Sequence, residues 1–364
     1  MKKLFFILAV LVCVGLTSDC WADFYVISAG KKAKKTVLVS PKSTSTESGT
    51  ALLNAINRIT DASATNPYLL IIEPGIYNIG TSSFQMKSHV DVEGSGETVT
   101  TIRGNIDSNT AGVVNGADNA ALRSLTVENT GGGVTCVAIY NSSVSPRITF
   151  VTVKAGASSK CSYGILNNAA SPQMSMVYVE AYGATLNRAI SNGAASSPSM
   201  NYVTAHASGA GTNTALHNTG SNTAPQMSNV VATASGGETA IAFHSSNFAT
   251  PIMTDSTFTA SGATSFNWGI QAESSATLSL SNVTSRGFSG GAGIGLYIYS
   301  TGGSAEIRRS LLSGVDYSIR NDSSSNSVCI GASQLKGTVS GTLTCIHCYD
   351  DSYTGLNSSC TTSP

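Results

Sequence analysis

The sequence is poor in charge. Of its 364 residues only 11% are Asp, Glu, Lys or Arg, less than half the roughly 25% of ordinary soluble domains, and 20 basic side chains balance 20 acidic ones. Without a basic excess there is no concentrated positive surface to neutralise phosphates, so nucleic acid is not the expected partner. Past residue 16 no apolar run approaches the roughly 20 residues that cross a bilayer, and no stable membrane span is expected. Helices with an apolar stripe are nearly missing too: the one good candidate is 49–59, GTALLNAINRI, where Leu52, Leu53, Ile56 and Ile59 share a face. What coats the surface is uncharged, in long runs of Ser, Thr, Asn, Ala and Gly.

Lys2 and Lys3 precede an apolar stretch over 4–16, and Cys20-Trp21-Ala22 offers small residues at the two positions a signal peptidase reads. Residues 1–22 therefore read as a signal peptide cleaved before Asp23. The expected location is secreted, either extracellular or periplasmic, or the outer surface of a bacterium. Cys136, Cys161, Cys329, Cys345, Cys348 and Cys360 remain, and an even number in an oxidising compartment favours disulfides over metal ligation. Cys345-Ile-His-Cys348 lacks the second ligand pair of a zinc site, so no metal site is assigned.

Between residues 122 and 330 the chain repeats itself. Leu122, Ile148, Met174, Met200, Met227, Met253, Leu280, Ile307 and Ile330 recur at spacings of 26, 26, 26, 27, 26, 27, 27 and 23, five of them preceded two residues earlier by Pro146, Pro172, Pro198, Pro225 and Pro251. A second register runs through Ile139, Ile165, Ile190, Leu216, Ile241, Ile270, Leu296 and Ile319, each after a small residue. Two short extended segments per period, punctuated by Gly, Ser, Asn and Pro, leave no room for a helix. Helical repeats do not tolerate these prolines, and the leucine and asparagine framework of leucine-rich repeats is absent. The solution left is an all-β, single-stranded parallel β-helix of about ten coils.

Asn141, Asn167, Asn192 and Asn218 stand two residues after the second-register residue, a placement repeated at Asn321. On coils about 4.8 Å apart their amides form a row able to hydrogen-bond along the axis. Cys136 and Cys161, 25 residues apart and nearly in phase, are expected to face one another as a disulfide. Cys329, Cys345, Cys348 and Cys360 cluster at the end, where at least one is expected to close over the open solenoid. The organisation read from the chain is a cap over 23–66, the β-helix over 67–330 and a disulfide-bonded cap over 331–364, because an uncovered solenoid end exposes backbone and core. Lys31, Lys32, Lys34 and Lys35 read as a solvated edge of the first cap.

The run GTALLNAINRITDASATNPYLLIIEPGIYNIG with the later VDVEGSGETVTTIRG resembles the opening of pectin methylesterases and related pectin-lyase-like right-handed β-helices, in which a capping helix precedes a PG-x-Y strand and a G-x-G turn. The SPxM repeats look like those of secreted bacterial β-helix proteins of unassigned function. The resemblance implies a right-handed solenoid over nearly all of the mature chain. It also implies, for an esterase, aspartates in a D-F-I-F-G-like strand and an arginine near a GRPW-like motif; neither motif occurs here.

Six residues past each repeat anchor lie Glu128, Lys154, Glu180, His206, Thr233, Thr259 and Arg286, one outward row with neighbours about 4.8 Å apart. Glu128, Lys154, Glu180 and His206 are the catalytic candidates: a lysine between carboxylates in a polysaccharide lyase, with Ca2+ held by Glu128 and Glu180, or a carboxylate pair in a hydrolase. The flanking carboxylates favour protonated lysine, however, and the same row also reads as a charge ladder that avoids stacking like charges. No other cofactor is implied. A second outward set contains Tyr140, Leu166, Ser191, His217, Gln271, Tyr297 and Arg320. Tyr140 and Tyr297, with Glu128, Lys154 and Glu180, are the carbohydrate-binding candidates, while Tyr297 with Tyr299, and Trp268, also read as packing or turn residues. His217 and His244 read as lying on different parts of their coils, with no carboxylate partner. The function expected is a scaffold that meets polysaccharide or a cell-surface component. The alternatives are a divergent polysaccharide lyase or other carbohydrate-active enzyme, and an adhesin or structural protein contacting other proteins.

Overall fold

The structure is a computed structural model that describes residues 24–25, 34–156, 158–209 and 211–362. The signal peptide read in 1–22, with Lys31 and Lys32, lies outside the described residues. The chain winds into a right-handed parallel β-helix of about ten turns. Each period hydrogen-bonds in parallel to the turns before and after it, so the repeat length is the circumference of one turn.

All nine repeat anchors stand above one another on a single ladder, and all are buried. Burying each such Leu, Ile or Met contributes about 1.5–3 kcal/mol relative to exposure, and because a turn touches only its neighbours the core is a one-dimensional stack. Two residues after the anchor the backbone kinks. Ser124, Phe150, Met176, Tyr202, Asn229, Asp255, Asn282 and Arg309 all take φ between 48° and 57°. Asn, Asp and Ser occupy this left-handed region at little cost, whereas Phe150, Met176 and Tyr202 do so with side chains 46%, 45% and 56% exposed.

The second register bends at a pair of consecutive buried residues, the first of them small: Ala138-Ile139, Gly164-Ile165, Ala189-Ile190, Ala215-Leu216, Ala242-Phe243. Smallness is steric, since a Cβ on Gly164 would lie 2.3 Å from Val179 Cγ1. Here one turn departs from the sequence reading. Phe243, not Ile241, aligns with Leu216 and Ile270, while Ile241 pairs with Thr214 and Trp268. The strand Thr239–Ser246, TAIAFHSS, contains both Ala240-Ile241 and Ala242-Phe243, and a shift of two residues preserves the inward and outward alternation that periodicity detects.

The asparagine row forms as expected. Asn141 donates to Asn167, Asn167 to Asn192 and Asn192 to Asn218, each amide bond 2.8 Å long and fully buried. Asn321 aligns instead with Ile298 and donates to the Thr342 carbonyl. At the N-terminal end the helix Ser45–Arg58 starts from a capping box between Thr44 and Glu47 and buries Leu52, Ala55 and Ile56. Parallel pairing reaches into both segments read as caps: Lys35–Val39 pairs with Tyr68–Ile72, and Thr344–Ile346 with Ser327–Gly331.

The cysteines require a correction. Cys345 and Cys360 form a disulfide in the C-terminal segment, but Cys136 and Cys161 do not pair. Cys136 aligns with Ser162, and Cys161 with Thr135. The offset of one residue turns the two side chains to opposite faces of the sheet, Cys136 inward and Cys161 outward. Cys329 and Cys348 are also free thiols.

Candidate functional site

Glu128, Lys154, Glu180 and His206 are successive register partners, continued by Thr233, Thr259 and Arg286. The row begins one turn earlier than the sequence suggested: Arg103 is the partner of Glu128, and its Nε lies 2.6 Å from the carboxylate. Arg103 therefore serves the group that a bridging Ca2+ would need, and among the described residues no ion pair joins Lys154 to either flanking glutamate. Tyr182 lies against Gly156, where a Cβ would meet its ring at 2.4 Å. Burial raises the Tyr182 hydroxyl's pKa, with the Glu128 and Glu180 charges adding to the effect. No group of three or more His, Cys, Asp or Glu side chains converges as a metal site among the described residues. The row interleaves basic and acidic side chains, Arg103, Glu128, Lys154, Glu180 and His206, all half-buried.

The other sheet offers more. Outward residues on the two sides of the small-residue bend line one furrow that follows the helix axis. On one side stand Tyr163, Arg188, Thr214, Ile241, Trp268, Ile294 and Tyr317. On the other stand Tyr140, Leu166, Ser191, His217, His244, Gln271, Tyr297 and Arg320. Tyr140 and Tyr297 are thus in one row but six turns apart, about 29 Å, and do not form a joint platform.

Toward the C-terminal end the furrow widens into a groove of about 400 Å³ lined by Phe266, Trp268, Gln271, Glu273, Tyr297, Tyr299 and Arg320, with Ala292 and Ile294 between them. Its wall is a run of rings: Phe266 to Trp268 at 5.0 Å, Trp268 to Tyr297 at 5.2 Å, Tyr297 to Tyr299 at 5.8 Å. Phe266 and Tyr299 are exposed at its edges. Tyr297 donates to Asp322 over 2.8 Å, and the Arg320 guanidinium lies 5.3 Å from the Tyr297 centroid while pairing with the same carboxylate. Burial, and then the bond to Asp322, pushes the Tyr297 hydroxyl up to about 12. Burial would raise Asp322 too, but the bonds from Arg320 and Tyr297 outweigh it and hold that carboxyl below its ordinary value. Two buried polar atoms of the wall, Trp268 Nε1 and Gln271 Oε1, have no hydrogen-bond partner among the described residues.

The histidines also differ from the sequence reading. His217 and His244 are register partners with ring centroids 5.1 Å apart, and His244 Nε2 lies 2.9 Å from Glu273 Oε1. The two-residue slip at Phe243 hid this alignment, and Glu273 sits one turn beyond His244, where spacing along the chain gives no signal. His217 is buried, 3.3 Å from Ser191 Oγ. Trp268, Tyr297 and Tyr299, read as packing or turn residues, pack ring on ring and also line the groove. The signal for Trp268 is its place two residues before Ile270, the position that Tyr163, Arg188 and Thr214 hold in their own turns.

No protein-family model and no curated protein sequence matches this chain. Among solved structures it is similar to the A-module of a mannuronan C-5 epimerase from Azotobacter vinelandii, over 87% of this chain and 96% of that one, at 13% identity and a TM-score of 0.44. It is similar to ORF18 of Geobacillus virus E2 over 86% of this chain and 60% of that one, at 12% identity and a TM-score of 0.40. A pectin methylesterase from Yersinia enterocolitica is similar over 70% and 89%, at 10% identity and a TM-score of 0.33. The likeness is one of fold alone.

Proposed function

We propose that this chain is a glycan-binding β-helix whose ligand lies along the furrow against Phe266, Trp268, Tyr297 and Tyr299. The observation that carries this reading is the continuous run of four aromatic rings on an open groove, flanked by Gln271 and Arg320. Sugars combine apolar ring faces with polar rims, and a mostly apolar wall with a few placed polar groups suits both. The Cys345–Cys360 disulfide fits a protein that works outside the cytoplasm, among polysaccharides and other cell-surface glycans. A second reading is favoured by the His244–Glu273 pair: an acid and a base in hydrogen-bond contact beside the platform are the parts needed for proton transfer to a bound ligand.

Only Trp21 and Trp268 are tryptophans, so in a chain starting at Asp23 the emission reports on the groove directly. Titrating that chain with neutral and acidic oligosaccharides is expected to give a saturable change in emission, with reducing ends and unsaturated uronate followed in the same samples to detect turnover. Calorimetry on Trp268→Ala is expected to show at least about tenfold weaker binding, the size of one lost aromatic contact with its buried area. An emission that no glycan changes, or an affinity that Trp268→Ala leaves intact, would contradict the reading.

A further inference from the structure

Three to four turns N-terminal of the aromatic run, the same furrow holds an arginine in unusual company. Arg188 is half-buried, stacks 6.0 Å over the Tyr163 ring, and its Nε is enclosed without a partner among the described residues. Other arginines meet carboxylates: Arg103 meets Glu128, Arg123 meets Glu93, Arg308 meets Glu306 and Arg320 meets Asp322. Arg286 and Arg309 have no such partner among the described residues but stand exposed in solvent. Among the described residues no carboxylate forms an ion pair with Arg188; its side-chain hydrogen-bond partner is the Tyr163 hydroxyl, which burial keeps protonated by raising its pKa. His217, across the furrow, presents a neutral ring, because burial and then the Arg188 charge hold its imidazole well below the ordinary value. A guanidinium withdrawn from water without an anion is costly, and a fork of N–H donors open to a furrow is what binds a planar or tetrahedral oxyanion.

We propose that Arg188, with Tyr163 and the Ser191–His217 pair beside it, is a binding position for an oxyanion: the carboxylate or sulfate of an acidic sugar, or a free inorganic anion. The position stands on the surroundings of Arg188; only its assignment to an acidic sugar rests on the glycan reading. Three ladder steps separate Arg188 from Trp268, about 14 Å, so one chain laid along the furrow reaches both.

Inorganic sulfate is the first probe. Calorimetric titration of the full mature chain with sodium sulfate, at an ionic strength held constant with chloride, is expected to show saturable binding that Arg188→Gln weakens at least tenfold and Trp268→Ala leaves unchanged. In the wild-type protein, sulfate is also expected to slow alkylation of the neighbouring Cys161 by iodoacetamide while the exposed Cys329 reacts at its former rate. This second readout decides the matter if Arg188→Gln does not fold. An acidic oligosaccharide should bind about tenfold more tightly than its neutral counterpart, a preference lost in Arg188→Gln. Sulfate binding without that preference supports the position and assigns it to a free oxyanion. Sulfate binding by a protein that takes no glycan defeats the glycan reading and keeps this one. Absence of sulfate binding, binding that survives Arg188→Gln, or Cys161 alkylation indifferent to sulfate overturns the proposal.

Discussion

At the scale of single residues, acid sensitivity is built into the furrow. Burial, with the charges of Arg188 and His244 behind it, holds the His217 imidazole well below its ordinary 6.5. The folded protein keeps this ring neutral where the unfolded chain protonates it, so stability falls as pH drops below about 6.5, by up to about 1.4 kcal/mol per pH unit. Glu273 acts in the same direction lower down. The hydrogen bond from His244 holds its carboxyl below the ordinary 4.5, so the stability it contributes is present above that value and is lost as pH falls through the folded one. Thermal unfolding between pH 7 and pH 5 is expected to show a falling midpoint, and a smaller fall in His217→Gln; parallel curves would show that His217 does not carry the effect. These charges were only partly legible in the sequence. His217 and Glu273 are visible as residues, but their partners are set by alignment between turns, and that alignment turns on whether Ile241 or Phe243 is taken inward.

At the scale of elements, a ladder is as strong as its continuity. Asn167 both accepts from Asn141 and donates to Asn192, so Asn167→Ala leaves two buried amide groups unpaired, at about 1–3 kcal/mol each. Denaturant titration should show that loss, whereas a change under about 0.5 kcal/mol would mean that water replaces the ladder without cost. The left-handed row runs the other way. Tyr202 sits at φ 53° where Asn229 and Asn282 occupy the same position of their turns. Tyr202→Asn is expected to stabilise the protein by up to about 1 kcal/mol, read as a higher unfolding midpoint. The asparagine row was visible in the sequence because identical residues recur at one position. The left-handed row was not, because its members share a backbone angle and no chemistry.

At the scale of the whole molecule, the repeat announced its own architecture: nine anchors spaced by one circumference become one buried stack. Disulfide pairing was less accessible, since a one-residue offset between Cys136 and Cys161 separates a bond from two thiols on opposite faces. Peptide mapping under non-reducing conditions is expected to recover Cys345 joined to Cys360, with Cys136, Cys161, Cys329 and Cys348 as free thiols. Replacing Cys345 and Cys360 together by serine opens a loop with a sequence separation of 15, a loss of about 3 kcal/mol that should appear first as faster hydrogen exchange in the last turns. The function turns on which of two long faces meets the ligand, the charge ladder of Glu128, Lys154, Glu180 and His206 or the aromatic furrow. The most direct measurement is glycan affinity compared between Trp268→Ala and the Lys154→Ala, Glu180→Gln double variant of the same folded chain. With the ligand in the aromatic furrow, the first loses binding at least about tenfold and the second stays within about twofold of wild type. Binding that survives the loss of Trp268 and disappears with Lys154 and Glu180 would contradict that placement.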